Sequence, residues 1–172
     1  MAADNSYPNS VHIRQDGNLY VPTGKAMYTE SGSSMDIQSG ASFKIASVAI
    51  PHAVTIGTPV APSANVTEIP ITVVDGAGTA IAGTFNLDVW LSDSTDGAGL
   101  TATTASGAVA VKTSSGVDLS TMVSKKALRV QTLATGIYTL SITDTAKTAF
   151  KVCAQCGHAK ATPRTLQTAD YG

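Results

Sequence analysis

Apolar residues recur at every second position along much of this chain. Ile69, Ile71 and Val73 form one such run; Phe85, Leu87, Val89 and Leu91 form another, and Tyr138, Leu140 and Ile142 a third. A period of two sends successive side chains to opposite faces of an extended strand, so each run predicts a strand with one buried face. Val109/Val111, Leu128/Val130 and Phe150/Val152 continue the series. Turn residues separate the runs: Asp75-Gly-Ala-Gly78, a 92–106 stretch rich in Gly, Asp and Thr, and Ala134-Thr-Gly136. About seven short strands at this spacing predict an antiparallel sandwich over residues 66–172, ending in a C-terminal tail. No window sustains a 3.6-residue period, and one helical turn within 118–126 is the most helix expected.

A second pattern occupies residues 22–45. Aligned by eights it reads Pro22-Thr-Gly-Lys-Ala-Met-Tyr-Thr29, Glu30-Ser-Gly-Ser-Ser-Met-Asp-Ile37 and Gln38-Ser-Gly-Ala-Ser-Phe-Lys-Ile45, preceded by a shorter unit, Gln15-Asp-Gly-Asn-Leu-Tyr-Val21. Each unit places a glycine at its turn, then apolar residues two apart (Leu19/Val21, Met35/Ile37, Phe43/Ile45). A unit this short cannot hide its apolar side chains alone, and stacked repeats close a core only with neighbours. The expected solution over 15–46 is three chains wound about one axis, with Leu19, Met27, Met35, Ile37, Phe43 and Ile45 at the trimer interface. A β-meander packed on the downstream domain is the alternative. Residues 1–14 are polar and lie outside the repeat, as in a flexible arm that orders on a partner or frays. Pro51, Pro59 and Pro62 interrupt short alternating stretches in 47–65, which reads as an extended connector.

Composition narrows the function. Hydrophobic residues, at 43%, support a packed core, while charged residues, at 13%, are about half as frequent as in an ordinary domain. Much of the surface is therefore expected to be covered by other subunits. A net charge of −1, with no basic run denser than Lys125-Lys126, speaks against a nucleic-acid partner. The apolar clusters are too short to cross a membrane. No charged-then-apolar leader opens the chain, so assembly in a cytoplasm is expected.

Candidate chemistry is sparse. Cys153-Ala-Gln-Cys156-Gly-His158 has the C-x-x-C spacing that offers two thiolates to zinc, with the histidine as a third ligand. A structural zinc site needs four ligands, so the expectation is no metal and two buried or reduced thiols at a strand end. Asp88, Asp93 and Asp96 with Thr95 could line a calcium loop, but solvated turn residues are expected. His12, His52 and His158 fall in unrelated motifs, no G-x-S-x-G elbow occurs, and neither enzyme activity nor a cofactor is expected. Trp90 falls on the face opposite Leu87, Val89 and Leu91. It either contacts a partner or packs beneath the 92–106 loop.

Three runs carry a family resemblance: Ile71-Thr-Val-Val-Asp-Gly-Ala-Gly-Thr-Ala-Ile-Ala-Gly83, Val89-Trp-Leu-Ser-Asp93 and Gly136-Ile-Tyr-Thr-Leu-Ser-Ile-Thr-Asp144. They resemble an immunoglobulin-like domain of the kind that recurs in tailed-bacteriophage virion proteins. The octads resemble the trimeric β-helices and β-spirals of phage head fibres, decoration proteins and tail spikes. Together the chain resembles a phage head-decoration (cement) or head-fibre protein. The resemblance implies an all-β chain, a short N-terminal trimeric β-helix or β-spiral stem followed by an immunoglobulin-like antiparallel β-sandwich. It further implies a homotrimer on the capsid surface of the virion, bound to the major capsid protein and stabilising the shell. A tail-fibre or receptor-binding component contacting host surface glycans is the alternative, and a host cell-surface adhesin ranks below both. The tail beyond Val152 departs from the plain strand that ends such domains.

Overall fold

The computed structural model describes residues 50–172 in full and, before them, only the backbone of four two-residue strands. These are β1 (His12–Ile13) paired antiparallel with β2 (Leu19–Tyr20), and β3 (Lys44–Ile45) paired antiparallel with β4 (Val48–Ala49). The side chains of Leu19, Met27, Met35, Ile37, Phe43 and Ile45 lie outside the described residues, as do the 1–14 arm and the octad rungs apart from those strands. The chain divides into two compact units, Met1–Asp36 and Ile37–Gly172.

In Ile37–Gly172, one antiparallel sheet comprises β5 (Ala53–Ile56), β6 (Val60–Ser63), β7 (Val66–Val74), β9 (Val109–Val111) and β12 (Ile137–Thr143). Its order is β5-β7-β12-β9, with β6 following β5 along the same edge of β7. The other sheet comprises β8 (Asn86–Ser92), β10 (Val117–Val123), β11 (Ala127–Gln131), β13 (Lys151–Cys156), β14 (Ala159–Lys160) and β15 (Arg164–Thr165). Its order is β10-β11-β8-β13, with β14 and β15 both on the far edge of β13.

The period of two sorts the side chains between these sheets. Ile69, Ile71 and Val73 of β7 and Tyr138, Leu140 and Ile142 of β12 are fully buried. They meet Leu87, Val89 and Leu91 of β8, Leu128 and Val130 of β11, and Val152 and Ala154 of β13 in one core. Each large aliphatic side chain among these contributes about 1.5–3 kcal/mol by leaving water. The molecule is thus all-β, and among the described residues the one helical element is a 3-10 turn at Thr168–Asp170.

Three segments differ from the sequence reading. Residues 53–63, expected within an extended connector, are strands of the first sheet, so pairing begins before residue 66. Pro70 explains the break between β5 and β6. It lacks an N–H, and its carbonyl accepts from Gly57 N at 2.8 Å on the edge that β5 leaves and β6 has yet to reach. The missing donor therefore falls at a corner instead of interrupting a ladder. Residues 118–126, where a helical turn was expected, are β10 and its turn into β11. Alternation is blurred there by two bulges, between Asp118 and Ser120 and between Thr121 and Val123.

The third difference is the tail. Beyond β13 it folds back once, pairs antiparallel with that strand first as β14 and then as β15, and delivers Leu166 and Tyr171 to the core, both nearly without exposure. Tyr171 Oη donates to Thr148 O at 2.9 Å, and Asn65 N donates to Gly172 O at 2.7 Å, at the start of β7. The tail is a closing wall of the sandwich.

Gly136 holds a backbone conformation that glycine takes without strain and a residue with a side chain does not. Its φ is +76°, and a Cβ built there would overlap the carbonyl oxygen of Ile81. Its own carbonyl accepts from Val73 N at 3.0 Å, so the turn cannot simply move away. Gly136→Ala is expected to destabilise the fold by about 3 kcal/mol, combining left-handed strain with overpacking. Urea denaturation measures it; an unchanged midpoint would show that the turn yields.

Candidate functional site

The metal-like cluster sits on β13 and its turn into β14. Residues three apart on a strand face opposite ways. Cys156 accordingly packs against the core. Cys153 stands on the outer face, opposite Trp90 of β8, and His158 is exposed in the following turn. The three side chains do not converge, and among the described residues no group of three His, Cys, Asp or Glu is arranged to hold a metal. Burial pushes the Cys153 thiol up to about 11 and raises that of Cys156 as well. Both are held as protonated, poorly nucleophilic thiols.

Cys153 is buried although it faces outward, because the 92–106 loop folds over it. A Cβ on Gly97 (φ +71°) would come within 2.8 Å of Cys153 Sγ and 3.0 Å of Pro163. Trp90 is half-buried under the same loop, its Nε1 donating to Gly97 O at 3.0 Å. Lys160 lies 5.9 Å from the centre of the indole ring, and its Nζ donates to Asp96 O at 2.8 Å. Trp90 thus lies beneath the loop, with part of the residue still exposed.

The loop's carboxylates are committed internally. Asp93 accepts from Thr101 Oγ1 at 2.7 Å and Ala102 N at 2.8 Å. Asp96 accepts from Ser94 Oγ and, at 2.8 Å, from Ala98 N. Those donors hold both carboxyls below the usual range, the Thr101 hydroxyl leading for Asp93 and the Ser94 hydroxyl for Asp96. Asp88 is clamped by Arg129 through two bonds of 2.8 and 3.1 Å. Thr95 donates to none of them in the described bonds; Asp93 and Asp96, exposed in the turn as expected, are the acceptors that fold the loop, and Asp88 pairs across the strands instead.

Two polar anchors went unread in the sequence. Asp144, 1% exposed at the end of β12, accepts from Ser106 N at 3.0 Å and Thr148 N at 2.8 Å. Its own N–H donates to Asn65 O at 2.8 Å. The carboxylate thus ties the end of the 92–106 loop to the turn into β13, and the backbone N–H of the same residue adds the start of β7. Burial works against its charge, but the backbone donors of Thr148 and Ser106, with their hydroxyls, outweigh burial and lower its pKa. The second anchor is Asp118, which accepts from Tyr138 Oη at 2.9 Å and Val111 N at 3.0 Å, linking β10 to β12 and β9. Burial, reinforced by Asp118, raises the Tyr138 phenol far above its ordinary value. An aspartate closing an alternating strand is a weak sequence signal, since exposed turn aspartates look the same.

Two outcomes follow. With a disulfide reagent at about pH 8, the native protein should label slowly at both cysteines, and Gly97→Ala should speed labelling of Cys153 while leaving Cys156 unchanged; equal rates would mean that the loop does not cover the thiol. For Asp144, a folded pKa below the unfolded value gives stability that is present above about pH 4 and lost as pH falls through the folded value. Asp144→Asn should therefore flatten the acid limb of urea midpoints measured against pH, and Asp144→Ala should cost about 2 kcal/mol at neutral pH by leaving two part-buried donors without their acceptor. An unaltered acid limb would remove Asp144 from that role. Compared with models of known protein families and with curated proteins, the chain matches none.

Proposed function

We propose that this protein is a non-enzymatic structural component of a virion: a homotrimeric capsid decoration (cement) or head-fibre protein that binds the outer surface of the major capsid shell and stabilises it. The observation that carries the reading is the octad repeat of residues 15–46, whose apolar pairs have too little chain around them to be hidden without sister copies. The sandwich supports the resemblance stated for it. β5, β7, β12 and β9 stand in the order of strands A, B, E and D of an immunoglobulin-like domain, and β8, β13 and the β14/β15 edge in the order C, F and G. The β10–β11 hairpin extends the second sheet beyond β8, and it follows β9 in the chain. Carboxylates that serve as folding acceptors, and thiols held protonated, suit a scaffold more than a reactive centre.

The mechanism is multivalent. Three equivalent weak contacts act as one strong attachment when geometry lets them engage together. A trimer matches three-fold and quasi-three-fold positions of a shell, where symmetry repeats one contact three times. Bridging neighbouring shell subunits then resists rupture.

Purified protein mixed with bare, expanded capsids should co-sediment with them and raise the temperature at which they rupture. Absence of binding, or antibody labelling confined to virion tails, would contradict the reading. Phe43→Asp or Ile37→Asp should abolish trimers by placing a charge on a dry axis; trimers unchanged in either variant would refute the proposed register.

A further inference from the structure

β10 carries its side chains the wrong way round for its own core. In its pairing with β11, Asp118 lies opposite Val130 and Thr121 opposite Leu128, whereas Val117 lies opposite Gln131 and Val123 opposite Ala127. Directly opposed residues share a face, so polar residues occupy the inner positions and valines the outer ones. The two bulges insert Leu119 and Met122 as well. Val117 is 51% exposed, Leu119 45%, Met122 45% and Val123 41%, on a strand at the open edge of its sheet. The inner positions are not a defect, because Asp118 is bonded to Tyr138 and Val111. The sandwich is complete without the apolar side chains of β10.

Natural edge strands are usually guarded by charge, lysine above all. Here the adjacent lysines are turned away: Lys125 Nζ donates to Ser106 O at 2.8 Å, and Lys126 Nζ to Thr101 O and Ala102 O at 2.8 and 2.9 Å. On the same outer face, Arg129 and Asp88 neutralise each other at 2.8 Å. A two-fold contact sets each patch against its own copy, so net charge there would repel, while a patch with cancelled charge meets itself without penalty. Size sets the strength. Seven residues of strand span about 23 Å, and a stripe about 10 Å wide covers roughly 230 Å², well short of the ~800 Å² per partner of a stable dimer. Such a contact forms only at high local concentration.

We propose that β10 is a self-association surface, on which two copies of this chain pack β10 against β10, antiparallel across a two-fold axis, through Val117, Leu119, Met122 and Val123. The contact is separate from the octad stem and stands whether or not the stem makes trimers.

Sedimentation equilibrium of the full chain, from dilute solution to about 1 mM, tests it. The mass of the dilute species, whether one chain or three, should at least double with concentration. The double variant Leu119→Lys/Met122→Lys should hold the dilute mass throughout with an unchanged melting temperature. Val60→Lys, at a position 59% exposed on β6, should associate like the wild type. A wild-type mass independent of concentration would overturn the proposal, as it would if the chain's own residues or a different protein cover β10. Undiminished association of the double variant would overturn it equally. A one-chain dilute species that doubles would sustain this contact while contradicting the trimeric stem.

Discussion

Two sheets that are each apolar at every second residue can hide those residues only by facing each other. That constraint organises the described structure. β7 and β12 on one side, and β8 and β13 on the other, contribute inward rows from Ile69 to Val73, Tyr138 to Ile142, Leu87 to Leu91, and Val152 with Ala154. Once those rows meet, every other side chain on the same strands is directed outward. Trp90 and Cys153 are on the outer face because Val89, Leu91, Val152 and Ala154 are not. Their burial then has to come from somewhere else, and the 92–106 loop supplies it, pinned by its own aspartates and by Lys126 and Lys160.

The same constraint disposes of the cysteine motif. On a helix or in a tight loop, a C-x-x-C pair brings its sulfurs together; on β13 it sends one to the core and one to the outer face. Polar chemistry in the sandwich is used for closure. Asp144 joins three segments at one point, Asp118 and Tyr138 tie β10 to the opposite sheet, and Tyr171 brings the tail to the turn before β13. The buried carboxylate of Asp144 is stable because backbone donors meet it, the condition under which a buried charge is tolerated.

Where the sequence had a clean period of two, it was legible. The strands around Ile69, Leu87, Leu128, Tyr138 and Val152 were read from alternation alone, as was the all-β class. The misreadings have physical causes. Prolines at 51, 59 and 62 masked β5 and β6, although short edge strands tolerate them. Bulges in β10 broke its alternation and hid a strand behind an apparent helical turn. The tail looked patternless because its contribution is two isolated anchors, Leu166 and Tyr171, placed by turns. Among the candidate sites, the separation of Cys153 from Cys156 followed from strand geometry once the strand was assigned. For Trp90 the sequence left a partner contact and the loop as open alternatives, because loop paths depend on hydrogen bonds such as Trp90 Nε1 to Gly97 O that no local pattern announces.

The proposed assembly role joins a sandwich whose polar groups are turned to its own closure with a repeat that lacks walls of its own. The mass of the intact particle in dilute solution, by native mass spectrometry or light scattering, tests that union most directly. The account predicts three chains per particle; a single chain that keeps its fold would contradict it.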